Sequence, residues 1–267
     1  MTNTKLKIIA LVTMFIDHFG HFIPDTPEWF RWIGRIAAPI FIYCVVIGYK
    51  NTSNRKKYLV RLGVAAVGMS FLNLIINLRI HYLLQKGKIS SSDFPYLEFN
   101  FFSTLFLIAL LIILLEKKKI KFLIWFFCWQ FVSISLFPFM EINGYLPEPI
   151  SLFTIQISGN LLVVEGGVLM ISLGIFLYFS RGDKWKTAIG YSLYCLTLFY
   201  LVRRWGWRPD GILPHLFGFA DYQWMMIFAL PLMLLYNGKK GIGLKYFFYL
   251  FYPLHIVILF FIGFLLA

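Results

Sequence analysis

The sequence predicts an all-α polytopic membrane protein, a bundle of nine or ten transmembrane helices. Three bulk properties indicate this fold class. Of the 267 residues, 60% are hydrophobic and 14% are charged, and the mean hydropathy is +0.75. Soluble domains carry about 25% charged residues because water must solvate their surface. Most of this protein's surface must instead face lipid, which excludes an ordinary soluble domain.

Apolar runs alternate with charged or Pro- and Gly-rich breaks along the whole chain. A helix needs roughly 17 to 25 residues to cross about 30 Å of hydrocarbon. Runs of suitable length occupy residues 6–22, 33–49, 58–78, 101–115, 122–137, 185–202, 222–236 and 246–267. The stretch 150–180 is interrupted at Glu165, and is either one tilted span or a half-helix followed by a span. No repeat is visible, so we expect a single membrane domain over residues 1–267.

The basic residues indicate both the localisation and the orientation. With nine spans, most Lys and Arg residues fall on the side of the N-terminus, as expected for cytoplasmic loops. We therefore expect a multi-pass cell-membrane protein with a cytoplasmic N-terminus and an external C-terminus. The same bias explains the net charge of +13 without a nucleic-acid partner. The cysteines Cys44, Cys128 and Cys195 lie in apolar stretches without metal-ligand spacing, so no metal site is expected.

Polar residues inside the apolar runs are the informative ones, because a charge in the bilayer is costly unless it is paired or hydrated. These residues are Asp17, His18, Arg35 and Arg61, followed by Glu165 and His255. Lys7 and His18 are separated by three helical turns, about 16 Å, and lie on nearly the same face. Asp17 points about 100° away from His18, so its expected contact is Arg35 on the next span.

Several motifs in this sequence resemble the TraX family of bacterial membrane proteins. They are Lys7-x10-His18 with Asp17 before the histidine, Gly34-Arg35-x3-Pro39-x-Phe41, Thr52-x2-Arg55-x2-Tyr58-x2-Arg61, Gln223-Trp224, Leu235-Tyr-Asn-Gly238 and Lys245-Tyr-Phe-Phe-Tyr-Leu-Phe-Tyr-Pro-Leu-His255. The resemblance runs from end to end, with a weaker middle at about residues 117–184. It is carried by the order and spacing of these blocks together.

The resemblance implies acetyl transfer. The family's namesake N-acetylates the first residue of processed conjugative pilin. The family is related to acyltransferase-3 type membrane enzymes that modify envelope sugars, whose motif is a basic residue, ten positions and a histidine. Lys7-x10-His18 fits that motif with lysine in place of the commoner arginine. The implied reaction moves acetyl from cytoplasmic acetyl-CoA to an amine or hydroxyl at the outer face, although nothing in the sequence identifies a pilin.

Residue roles follow from the resemblance together with the chemistry of the side chains. His18 is the expected general base, since an imidazole titrates near neutrality. Asp17, Arg35 and His255 complete the expected catalytic group, with His255 as the competing base, a thioester-orienting residue or a packing residue. Arg35 or Tyr252 would stabilise the oxyanion. The residues expected to contact acetyl-CoA are Lys7, Arg55, Lys56, Lys57, Tyr58, Arg61 and Tyr252. Positive-inside bias and snorkelling explain the basic ones equally well.

The remaining expectations concern the binding partners and the alternative function. The expected partners are acetyl-CoA, membrane lipids and an exported peptide or glycan acceptor, with no nucleic acid. The long loop 203–221 is expected to help recognise the acceptor, because a simple connector needs only a few residues. The alternative function is a transporter or proton-coupled carrier, with Asp17, His18, Arg35 and Glu165 as a relay. Carriers often contain inverted repeats, which this sequence does not show.

Overall fold

The computed structural model describes residues 1–90, 95–205 and 221–266. The structure is 77% helical, and the described residues contain no strand. The helices are α1 (Asn3–Phe22), α2 (Trp29–Gly34), α3 (Ala37–Asn51), α4 (Arg55–Gln85), α5 (Phe101–Glu116), α6 (Ile120–Ile142), α7 (Glu148–Ser158), α8 (Gly167–Ser180), α9 (Lys184–Trp205), a 3-10 helix (Gln223–Ala229), α10 (Leu230–Leu234) and α11 (Lys245–Leu266). The predicted all-α class is confirmed.

Within the part of the chain that the structure describes, three helical segments are long and apolar enough to cross a membrane, by length and composition. They are Trp29–Asn51, Arg55–Gln85 and Tyr246–Leu266. Four shorter apolar helices accompany them, namely Phe101–Glu116, Ile120–Leu136, Gly167–Ser180 and Gln223–Leu234. These apolar helices are those of a membrane protein. The count of nine or ten spans and the orientation of the termini stay predictions.

The stretch 150–180 contains two helices rather than one tilted helix. Helix α7 ends at Ser158, and the following Gly159 adopts a left-handed conformation with φ 64°. Glycine has no Cβ to oppose that conformation, so it commonly ends a helix. The chain between α7 and α8 is held by side chains, because the Thr104 hydroxyl donates to the Glu165 carbonyl oxygen at 2.6 Å. The Glu165 region is therefore a fixed break between the two helices.

The predicted span 33–49 is also interrupted, between α2 and α3. The break falls at Arg35 and Ile36, whose backbone N–H groups donate to Trp32 and Ile33 in tight turns. Pro39 explains the position, because proline lacks an N–H and its ring crowds the carbonyl four residues earlier, which here belongs to Arg35. The break fixes Arg35 at the junction of the two helices.

The described chain forms two compact units. Unit 1 contains residues 1–51 and the described residues after 171, and unit 2 contains the described residues from 52 to 171. The single domain over residues 1–267 stays a prediction.

Helix α1 lies at the centre of unit 1, packed against α2, α3 and α11. Two glycines permit this close packing. A Cβ on Gly34 would lie 2.2 Å from the Asp17 Cβ, and one on Gly263 would lie 2.3 Å from the Phe22 carbonyl oxygen. Real Cβ atoms do not approach other atoms so closely, so the observed approach of α2 and α11 to α1 requires glycine at these two positions. The core positions Leu6 and Ala10 of α1 are fully buried.

Unit 2 is built around α4, which packs against α5 and α7. A row of buried asparagines joins α4 to the segment that enters α5. Asn77 exchanges two hydrogen bonds with the Leu97 backbone, at 3.0 Å and 2.7 Å. Asn100 donates to the Ala66 carbonyl and to the Ser70 hydroxyl. These amides satisfy backbone groups that would otherwise be buried without a partner.

Candidate active site

His18 and His255 meet in the interior of unit 1. Helix α1 brings His18 and helix α11 brings His255 to a distance of 2.6 Å between Nδ1 of His18 and Nε2 of His255. The ring centroids lie 4.9 Å apart, and the two ring planes are 15° from parallel. Each residue is only 3% exposed. The sequence proposed the two histidines as competing bases, and the structure makes them one hydrogen-bonded pair.

The hydrogen bonds define how the pair distributes its protons when both rings are neutral. His255 Nδ1 lies 2.8 Å from the Phe251 carbonyl oxygen, which can only accept, so this nitrogen carries a proton. His255 Nε2 then has a lone pair and accepts from Nδ1–H of His18. A neutral imidazole has one N–H, so His18 keeps a lone pair on Nε2. The series of hydrogen bonds from the Phe251 carbonyl oxygen through His255 to His18 therefore leaves Nε2 of His18 as a proton acceptor.

Aromatic rings enclose the pair. Tyr252, which is 5% exposed, meets both imidazoles edge-on, with centroids 6.4 Å from His18 and 5.7 Å from His255. Phe251 stacks on His255 at 4.9 Å, and Phe22 meets His18 at 6.2 Å. These rings contribute to the burial of both imidazoles. Among the described residues, Tyr252 is a residue with a polar tip whose ring lies beside both histidines.

Asp17 and Arg35 form the predicted ion pair. Arg35 Nη2 lies 2.7 Å from both carboxylate oxygens of Asp17. Arg35 also donates from Nε to the Arg31 carbonyl and from Nη1 to the Gln223 side chain. Its guanidinium lies over the Tyr222 ring at 5.6 Å. Because its donors are engaged in these hydrogen bonds, Arg35 links α1 to the α2–α3 junction. It is less suited than Tyr252 to stabilise an oxyanion.

Arg31 is a third member of this network that the sequence analysis did not single out. Its Nη1 lies 2.9 Å from the Asp17 carboxylate and 3.0 Å from the Asp17 carbonyl oxygen. The spacing of Arg31 and Arg35 could have indicated this contact, because residues four apart on a helix project on the same side. Asp17 thus lies between two guanidinium groups, directly before His18 in the chain.

The residues expected to contact acetyl-CoA divide between the two units. Lys7 and Tyr252 belong to unit 1, and Arg55, Lys56, Lys57, Tyr58 and Arg61 belong to unit 2. The Lys7 ammonium lies 5.5 Å from the Phe248 ring centroid, on the same two helices as the histidine pair. In unit 2, Arg55 pairs with Glu116, and the Arg61 guanidinium lies 5.8 Å from the Tyr58 ring centroid. Their role in binding acetyl-CoA stays a prediction.

Two other expectations concern metals and the acceptor loop. Among the described residues, no group of three or more His, Cys, Asp or Glu side chains has an arrangement that would hold a metal ion. The expected acceptor loop 203–221 lies largely outside the described residues, including Arg208 and His215.

Comparison with known proteins decides the family. The profile described as TraX protein matches residues 2–263. The chain belongs to the TraX family. This TraX chain is also 23% identical over 270 residues to a probable fimbrial assembly protein, FimC of serogroup H1, from Dichelobacter nodosus. The alignment covers 96% of this chain and 93% of the relative. No solved structure matches it. The relationship of this TraX protein to acyltransferase-3 type enzymes stays a prediction.

Proposed function

We propose that the protein is an integral membrane acetyltransferase that moves acetyl from acetyl-CoA to an amine or hydroxyl acceptor. The observation that carries the proposal is the buried pair in which His255 accepts from Nδ1 of His18 at 2.6 Å. That contact leaves His18 Nε2 as a base. Removing a proton from the attacking group is the main chemical task for the protein, because the thioester is already activated.

In the proposed reaction, the acceptor's nitrogen or oxygen attacks the thioester carbonyl carbon while Nε2 of His18 takes the acceptor's proton. The new C–N or C–O bond forms, and the carbonyl electrons move to oxygen. When the tetrahedral intermediate collapses, the C–S bond breaks and the CoA thiolate receives the proton from His18. The products are the acetylated acceptor and CoA with a free thiol. A positioned general base typically contributes about 10²- to 10⁴-fold to such a rate.

The other groups around the pair support this reaction. His255 fixes the orientation and tautomer of His18, as the third group of a catalytic triad does for its histidine. Tyr252, edge-on to both rings, is the proposed donor to the oxyanion. Lys7, three turns from His18 on α1, is the proposed contact for the anionic part of acetyl-CoA in unit 1. A role in acetyl-CoA binding for the unit 2 residues Arg55, Lys56, Lys57, Tyr58 and Arg61 stays a separate prediction.

The relative supports the class of acceptor. It is named as a probable fimbrial assembly protein, and it aligns over nearly the whole of this chain. An exported pilin-like peptide with a free amino terminus is therefore the favoured acceptor, and an envelope glycan is the second. Either acceptor would arrive at the outer face of the membrane. A topology reporter fused after Ala267 should be active only outside the cytoplasm.

The test is incubation of purified protein with acetyl-labelled acetyl-CoA, followed by measurement of slow hydrolysis and of label transfer to membrane components. His18→Ala should abolish transfer while acetyl-CoA binding is retained, because a general base acts on the transition state. The matched control is His81→Ala in unit 2, where His81 contacts Tyr96 instead of a second histidine. Folded wild-type protein without either activity, or a His18→Ala variant as active as His81→Ala, would refute the proposal.

A further inference from the structure

The network around Asp17 holds more positive than negative charge. Arg31 and Arg35 both contact the Asp17 carboxylate, at 2.9 Å and 2.7 Å. Two guanidinium groups and one carboxylate leave one positive charge in excess. The side chains are only partly exposed, 20% for Arg31, 15% for Arg35 and 12% for Asp17. An uncompensated charge at such a site is costly, so the site favours a further anion.

No protein carboxylate supplies that anion within the part of the chain that the structure describes. The acidic residues nearest in sequence are Asp25 and Glu28, which lie between α1 and α2 and are exposed. Neither lies within ion-pair distance of Arg31 or Arg35 in the described residues, where Asp17 is the carboxylate that both arginines contact. Within residues 1–90, 95–205 and 221–266, the excess charge is therefore not neutralised.

The two arginines use their donors differently. Arg35 donates from Nε to the Arg31 carbonyl, from Nη1 to Gln223 and from Nη2 to Asp17. Arg31 donates only from Nη1, to Asp17. Its Nε and Nη2 have no hydrogen-bond partner among the described residues. Two guanidinium nitrogens on one edge match the two oxygens of a carboxylate or phosphate.

The position of Arg31 relates this edge to the proposed base. Arg31 Nη1 contacts both the side chain and the carbonyl oxygen of Asp17, and the next residue in the chain is His18. The guanidinium is fixed there by two contacts to one residue. An anionic group held on Arg31 would therefore lie near the residue that precedes His18 in the chain.

We propose that Arg31 binds an anionic group, a carboxylate or phosphate, on the acceptor, within a few bonds of the amine or hydroxyl that is acetylated. This inference rests on the proposed function and deepens it by defining the acceptor's chemical class. Arg31 takes no part in bond making and acts as a specificity-determining residue. Arg35 holds Asp17 in place, so the Arg31 site keeps its shape when the ligand leaves.

The first experiment measures anion binding without catalysis. Inorganic phosphate and acetate are titrated separately into purified protein in lipid nanodiscs, with wild type, Arg31→Gln, Arg31→Lys and Arg79→Gln compared by calorimetry. Arg79 is the matched control, since it is an exposed arginine in unit 2 whose guanidinium lies over Tyr82. Arg31→Gln should weaken binding at least tenfold and Arg31→Lys by less, while Arg79→Gln should bind as wild type does. The two anions indicate whether a phosphate or a carboxylate is preferred.

The second experiment measures selectivity. Two peptides with free amino termini, differing only in Glu or Gln at the second position, are compared with glycerol 3-phosphate and glycerol as acceptors. Wild type should prefer one anionic acceptor over its neutral partner in kcat/KM, and Arg31→Gln should lose that preference. Equal anion binding by wild type and Arg31→Gln, or an unchanged preference, would overturn the inference. Anion binding at Arg31 without acetyl transfer would instead refute the proposed function alone.

Discussion

His18 and His255 are hydrogen-bonded to each other although 237 residues separate them in the chain, with Nδ1 and Nε2 2.6 Å apart. The contact joins α1 to α11, and the N-terminal end of α1 is tied to the chain that leads into α11. There the backbone N–H groups of Asn3 and Thr4 donate to the carbonyl oxygens of Lys239 and Lys240. Helix α1 is thus held at both its start and its histidine, which fixes the geometry of the pair.

The pair predicts different effects for the two histidines. His255→Phe keeps an aromatic ring against Phe251 but removes the nitrogen that accepts from His18. We expect kcat for acetyl transfer to fall by about 10²-fold or less, with measurable activity left and the KM for acetyl-CoA unchanged, because His18 remains the base. His255→Gln retains a hydrogen-bond acceptor and should recover part of the rate. If His18→Ala retains more transfer activity than His255→Phe, His255 is the base.

The Asp17 network predicts that substitutions of Asp17 and of Arg35 lower the free energy of unfolding by different amounts. Asp17→Asn leaves two partly buried guanidinium groups without a carboxylate, whereas Arg35→Gln leaves Asp17 with Arg31. Removing one partner of a buried pair typically costs about 3 to 5 kcal/mol. We expect Asp17→Asn to approach that range and Arg35→Gln to cost less, as judged from the midpoint of unfolding in mixed micelles.

A double-mutant cycle provides the control for this prediction. The double variant Asp17→Asn/Arg35→Gln should lose less unfolding free energy than the two single variants lose when their losses are added. Additive effects would mean that the 2.7 Å contact contributes no coupling energy, and an Arg35→Gln variant less stable than Asp17→Asn would mean that Arg31 does not share the carboxylate.

Some features of the site could be predicted from the sequence because they depend on local chemistry. A carboxylate and a guanidinium in consecutive apolar spans each need a partner of opposite charge. This requirement was sufficient to predict that Asp17 pairs with Arg35. The helical repeat was enough to relate Lys7 to His18 along α1. The all-α class required only composition, since few polar residues were available to cover a soluble surface.

Other features could not be predicted because they depend on tertiary packing. Nothing local to His18 or His255 indicates that α1 and α11 are neighbours, so the pair appeared as two rival residues. The separation of α2 from α3 reflects the effect of Pro39 on Arg35, although an apolar run through this region reads as continuous. The sequence around Arg31 does not show that its side chain turns back to Asp17.

Gly34 provides a test of the close approach between α1 and α2. A Cβ at this position would lie 2.2 to 2.4 Å from Cβ, Cγ and Oδ1 of Asp17. Gly34→Ala should therefore displace the Asp17 carboxylate from both arginines and lower both stability and acetyl transfer. The control is Gly68→Ala in α4, where an added Cβ meets no atom within 4 Å. Alanine favours a helix over glycine by about 1 kcal/mol, so Gly68→Ala should be neutral or stabilising. Gly34→Ala with wild-type stability would contradict the packing.

The asparagine row of unit 2 predicts a local effect on the segment that enters α5. Asn77 is 1% exposed and Leu97 is 2% exposed, and the Asn77 amide both donates to and accepts from the Leu97 backbone. Asn77→Leu would leave a buried N–H and a buried C=O without partners, each costing about 1 to 3 kcal/mol. We expect the Leu97 amide to lose its protection from hydrogen exchange in that variant, while α4 stays protected.

Ser135→Ala is the matched control for this change, because the exposed Ser135 hydroxyl bonds only to the Phe131 carbonyl within its own helix. Water can replace that bond, so exchange at Leu97 should match wild type. An intermediate variant, Asn77→Ser, retains a small polar group but cannot reach both backbone atoms, and its protection should lie between the two. Full protection of the Leu97 amide in Asn77→Leu would show that other contacts hold the segment, and the asparagine row would then have no structural role at this position.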